Sequence, residues 1–202
     1  MTNKLSKFGM WLMIAAAVLT VISAFIPLWR IDLQAPQYPE GLVLLIGGTS
    51  GISGDIIPIN DLNHYVGMEK IFPENFWEFQ ALPYILCGFA LLFLVCAVIR
   101  SKKLTYGSFG LFAVFGVLSF VDFYYWTYNY GHNLDPSAPI QVPGMAYQPP
   151  IIGYKKLLNF EAFSWPDTGG YLLVGAGVLV ALVVFYELGV FDKLFKKKTK
   201  TA

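Results

Sequence analysis

Charged side chains are scarce in this sequence: 14 basic and 13 acidic residues make up 13% of 202, against 56% hydrophobic and 17% aromatic. So little charge excludes an ordinary soluble domain of this size, and a net charge of +1 gives no electrostatic case for nucleic acid. Cysteine is scarce too. Cys87 and Cys96 fall nine positions apart in one apolar run, on opposite faces of a helix. They cannot bond to each other, and they lack the close spacing near the outer surface that a membrane thiol oxidoreductase needs, so they read as small packing residues. No serine, cysteine or carboxylate constellation marks nucleophilic or acid–base catalysis. Asp32, Glu40, Asp55 and Asp61 lack the alternation of a calcium loop. The glycines of "IGGTSGIS" are not followed by the long helix a dinucleotide-binding turn requires, since Pro58 arrives five residues after Ser53. Internal repeats, low-complexity tracts and the paired broken helices of transporters are also missing.

What is present is four long apolar runs. A hydrocarbon core of about 30 Å is crossed by roughly 20 apolar residues in a helix, the form in which a segment satisfies its own backbone in lipid. The runs cover about 8–28, 81–99, 106–126 and 170–191. The first has an apolar stretch about twice the roughly 7 to 15 residues of a secretory signal, with no small-residue cleavage site after it, and reads as an uncleaved anchor. Basic residues set the orientation. Lys4 and Lys7 precede the first span, Arg100, Lys102 and Lys103 join the second to the third, and Lys193, Lys196, Lys197, Lys198 and Lys200 follow the fourth. The connections 29–80 and 127–169 hold only Arg30, Lys70, Lys155 and Lys156. This asymmetry predicts a multi-pass protein of the bacterial inner membrane with both termini cytoplasmic, the lysine tail anchoring the last span at anionic lipid.

The expected fold is therefore an all-α membrane protein: a four-transmembrane-helix bundle, one integral domain over 1–202, with a small extracytoplasmic cap of short β-strands and loops. In the cap, "GLVLLI" and "DIIPI" around "GGTSGISG" predict a hairpin. "NDLNHYVGMEKI" predicts one or two helical turns capped by Asn60 or Asp61. The second connection carries six prolines, from Pro136 to Pro166, and is expected as an extended loop folded back on the hairpin. Gly175, Ala176 and Gly177 allow close helix approach in the fourth span.

Both histidines lie outside the spans on the same side, which leaves no haem clamp within the bundle. If "LNHYVGM" is helical, His64 and Met68 share a face one turn apart, a soft imidazole and thioether pair that suits Cu(I). His132 is the third candidate metal ligand and Met145 a fourth donor. Unrelated packing roles for each remain the alternative. Asp122 lies inside the third run near its outer end, where an ionisable group calls for a partner, and Arg30 at the end of the first span is the one expected. Glu187, a turn from the inner end of the fourth span, is expected to reach the interface. The tyrosines and tryptophans of "VDFYYWTYNYGHN" with Trp29, Phe76, Trp77 and Trp165 predict an interfacial belt, and also a contact surface for a membrane or periplasmic protein partner.

At "PLWRIDLQAPQYPEGL", "LNHYVGM", "DFYYWTYNYGHNLDP" and "YQPPIIGYKKLLNF" the chain resembles a family of uncharacterised four-span bacterial membrane proteins associated with the nitrous oxide reductase gene clusters of Bacteroidetes-like bacteria. The resemblance runs over nearly the whole chain. It implies a non-catalytic accessory role in denitrification, in copper handling or maturation of that periplasmic copper enzyme, with copper as the cofactor handled. The alternative is a structural scaffold or assembly subunit of a membrane complex, with no metal site.

Overall fold

The computed structural model describes residues 3–191, and the lysine tail lies outside the described residues. Four helices are long and apolar enough to cross a membrane: α1 (Lys7–Phe25), α3 (Trp77–Ile99), α4 (Lys102–His132) and α5 (Thr168–Glu187). Between α1 and α3 come β1 (Trp29–Ala35), β2 (Tyr38–Ile46), β3 (Ile52–Gly54), the short helix α2 (Ile56–Val66) and a single 3-10 turn (Pro73–Asn75). Between α4 and α5 come β4 (Gly153–Leu157) and β5 (Phe160–Pro166).

Local chemistry sets the helix limits. Ser6 caps α1 by accepting the Gly9 N–H at 2.9 Å, and α1 stops at Phe25 because Ile26, preceding Pro27, is extended. The span therefore ends three residues earlier than composition suggests. α3 begins four residues earlier than expected, with Glu78 favourably placed in its first turn. α4 continues six residues past the expected end at Trp126, since its last turns pack against the cap instead of facing lipid.

α1 runs between α3 and α5 and packs along both. Its face toward them is small, with Met13, Ala16 and Ala17 buried against Phe89, Phe93, Cys96 and Ala97 of α3 and Ala176, Val180 and Val183 of α5. Phe89, Phe93, Phe112 and Phe115 then interlock at centroid separations of 5.1 to 6.3 Å and bring α4 onto the bundle. α4 is the least sheltered span, 11% buried against 33–39% for the others.

The helix ends opposite the sheet are clasped by polar contacts. Glu187 accepts the Ser6 backbone N–H at 2.8 Å and pairs with Lys102 at 3.0 Å. Its side chain is 5% exposed, so it is an internal tie between α5, α4 and the N-terminal segment rather than a group reaching out to the interface. Arg100, at φ 56° after the last turn of α3, donates to the Leu5 carbonyl at 2.6 and 3.1 Å.

The cap is one antiparallel sheet in the order β3-β2-β1-β5-β4. The two central strands grow directly out of the membrane helices: β1 follows α1 and β5 leads into α5, with Trp29 opposite Pro166. Hydrogen bonds from Leu28 N to Ile46 O (2.8 Å) and from Gly169 N to Pro27 O (2.9 Å) carry the sheet's pairing down to the helix mouths. The inner face, with Ile31, Leu42, Leu44 and Ile46, packs on Ile59 and Leu62 of α2 and on Phe123 and Tyr130 of α4. Three expectations are corrected here. "DIIPI" is the first turn of α2 and not a hairpin arm, and Asp55 precedes the helix while Asn60, within it, binds Ile71 through two hydrogen bonds of 2.7 and 2.9 Å. The proline-rich connection contributes two strands, one of them central, because its prolines flank the proline-free stretch 151–165.

Candidate functional site

α2 does not put His64 and Met68 on one face. The helix ends at Val66, and Gly67 takes the left-handed conformation at φ 80°, with Gly67 N bonded to His64 O and Met68 N to Asn63 O. This paired closure is the usual glycine-terminated helix end, and it turns the chain before Met68 can fall beneath His64. His64 is exposed, whereas Met68 is half-buried against the cap's two apolar clusters. Met145, the suggested fourth donor, packs into one of those clusters as well.

His132 ends α4. Its ring stacks on Tyr128 at 3.9 Å between centroids, and Nδ1 lies 2.9 Å from Tyr128 O. The two loops do meet near the histidines: Asp135 N donates to Gly67 O at 2.8 Å and Ile140 N to Tyr65 O at 2.9 Å. Asp135 has its carboxyl held below the usual carboxylate range, first by the Ser137 side chain and backbone N–H, and to a lesser extent by the charge of His64. Among the described residues no group of three or more His, Cys, Asp or Glu side chains could hold a metal. The Met68 thioether thus lies against an apolar core, while the His64 and His132 imidazoles lie at the surface.

The expected pair of Asp122 and Arg30 is likewise not formed. Arg30 Nε donates to Asp32 Oδ1 at 2.7 Å, two residues along the same strand and on the same face of the sheet. Trp29 packs on Phe120 and Phe123 at 5.8 and 5.4 Å, which sets Asp122 at the level of the strand start. That level is beyond the helical part of α1, and Asp122 is exposed there.

The sheet's outer face is exposed and aromatic. Its register sets Asp32, Phe163 and Tyr154 in one row across β1, β5 and β4, and Arg30 beside Trp165 in the next. Phe163 and Trp165 stack at 5.9 Å and 12°, with Tyr154 exposed beside them.

Inside the cap lies a cavity of about 60 Å³. The sheet, α2, the outer end of α4 and the strap 145–151 enclose it, and no charged side chain is in its wall. The strap is seated by Gly131, where an added Cβ would come within 2.2 Å of Gln148 N, and by the bond from Tyr147 N to Gly131 O at 2.8 Å. Ser164 secures its other end through Ile151 O at 3.0 Å. Tyr147 is thereby driven into the cap, where it is 1% exposed and burial pushes its phenol above the ordinary value. Two polar atoms of the cavity's side chains, Trp126 Nε1 and Tyr147 Oη, are buried without a partner. Neither residue stands out in the sequence, because Trp126 reads as one more member of the interfacial belt and Tyr147 as part of a proline-rich loop.

Comparison with protein-family models, curated proteins and solved structures finds no match.

Proposed function

We propose that the chain is a non-catalytic membrane scaffold, an assembly subunit that holds a partner protein on the extracytoplasmic side of the bacterial inner membrane. The observation that carries this reading is the outer sheet face. Tyr154, Phe163 and Trp165 lie exposed in a rigid array continuous with α1 and α5, beside the Arg30–Asp32 ion pair. Aromatic side chains bounded by charge are the composition of contact surfaces, and strands anchored in two membrane helices lose little freedom on binding. Replacing all three aromatics with serine is expected to abolish co-purification of the partner from membranes, while the double variant His64→Ala, His132→Ala retains it. Retention by the aromatic triple variant contradicts the reading.

Copper handling, the role implied by the family resemblance, is the second reading. What favours it is the packing of the 135–140 segment, just beyond His132, against the end of α2 that bears His64. Such a site uses the two imidazoles and leaves Met68 out. Anaerobic Cu(I) titration then gives about one equivalent, lost in His64→Ala and His132→Ala and kept in Met68→Ala. No binding by the native chain removes this reading.

A further inference from the structure

The two edges of the sheet are finished differently. In an antiparallel ladder, alternate residues turn their N–H and C=O to one neighbour or to the other. Asp167 N donates to Leu28 O, which continues the pairs Trp165–Arg30 and Phe163–Asp32 and assigns these odd-numbered residues of β5 to β1. The even-numbered ones therefore bond to β4, through Gly153, Lys155 and Leu157, and Tyr154 and Lys156 turn their backbone groups outward. Neither makes a backbone hydrogen bond on that side among the described residues, and both are exposed. At the opposite edge β3 covers Leu45, and Pro39 has no N–H to offer. Val43 there gives its N–H to Asp55 Oδ2 and its C=O to Asp55 N, both at 2.8 Å. That edge is blunted, whereas the β4 edge is open.

Charge limits what can pair there. Lys155 and Lys156 lie on opposite faces of β4 and are exposed, with Lys155 Nζ donating to Gln148 O at 3.0 Å and Lys156 opposite Glu161 of β5. Lysine on an open edge disfavours pairing with an apolar strand, and with a second copy of this chain, which brings the same two lysines. Carboxylates on the incoming strand turn that repulsion into attraction. We propose that β4 adds a strand from the partner protein, an extended segment bearing carboxylates, bonded through the N–H and C=O groups of Tyr154 and Lys156. The inference rests on the scaffold reading for there being a partner, and it names how that partner is held. The added strand lies beside Tyr154 and so extends the aromatic face of Phe163 and Trp165.

The test uses the full chain in nanodiscs of neutral phosphatidylcholine and two blocked hexapeptides as probes, one alternating glutamate with valine and the other lysine with valine. The acidic peptide is expected to bind about tenfold more tightly, a preference lost in the double variant Lys155→Gln, Lys156→Gln. At saturation it is expected to slow hydrogen exchange at the Tyr154 and Lys156 amides about tenfold and to leave the Lys155 amide, already bonded to β5, unchanged. Lys156→Pro removes an outward N–H that the β4–β5 ladder does not use, and is expected to abolish binding. Should that variant fail to fold, exchange in the native chain decides alone. Equal affinity for the two peptides, no binding of the acidic one, or unchanged exchange at Tyr154 and Lys156 overturns the proposal. If these fail while the aromatic face still retains a partner, the edge alone is removed. Loss of the scaffold reading leaves the peptide results standing.

Discussion

Gly131 shows how a residue's role is fixed by what lies over it. In an open helix, replacing glycine with alanine stabilises by about 0.5–1 kcal/mol. Here a methyl group meets the Gln148 backbone at 2.2 to 2.3 Å, and backbone cannot swing aside as a side chain does. Gly131→Ala is therefore expected to destabilise the cap by about 1–3 kcal/mol and to expose Tyr147, seen as a lower melting temperature and a quenchable tyrosine signal. Tyr147 itself makes the cap sensitive to alkali. Its folded phenol value is raised above the ordinary 10.0, so its contribution is fully present below that value and is lost as pH rises through the folded one. Sheet circular dichroism should fall with a lower alkaline midpoint in the native chain than in Tyr147→Phe. Neither role is legible locally. Gly131 sits in an aromatic helical string, and the Gln148 backbone that selects it arrives from 17 residues further along.

Elements divide by how local their causes are. The four spans are legible because length and hydropathy suffice to specify them, and only their ends depend on details such as the extended Ile26 before Pro27. β1 alternates in the manner of a half-buried strand: Ile31, Leu33 and Ala35 face inward, Arg30, Asp32 and Gln34 outward. Assigning Arg30 to Asp122 ignores that alternation, which sends the guanidinium to the outer face. β5 was hidden for a different reason: besides its neighbour β4 it pairs with β1, more than a hundred residues away, and no local pattern encodes that second pairing. The His64 and Met68 face fails on one glycine: Gly67 is a helix terminator, and a stop signal at that position outweighs an i, i+4 spacing. Replacing Gly67 with alanine puts strain on the left-handed backbone and a methyl 2.9 Å from Asp135 O. The expected result is loss of about 1–2 kcal/mol and faster proteolysis between α2 and the 135–140 turn, measured by limited digestion.

At the scale of the whole molecule, polar ties are concentrated at the two ends of an apolar bundle. At the end opposite the sheet, Glu187 joins α5 to Lys102 and to the Ser6 N–H, so its removal leaves a half-buried cation and a backbone donor without their acceptor. Glu187→Ala is expected to destabilise the bundle by about 1–3 kcal/mol, and Glu187→Gln, which can still accept from Ser6, by less, in thermal unfolding from detergent. At the other end, the sheet continues α1 and α5 without a flexible joint, and that continuity supports a scaffold whose docking face keeps a fixed height above the membrane. The most direct test of that role places a photoactivatable cross-linking side chain at Phe163 and, as a control, at Val117 on the exposed side of α4, in native membranes. The predicted result is a discrete protein adduct from position 163 and lipid adducts alone from position 117. A protein adduct confined to position 117, or none at either position, contradicts it.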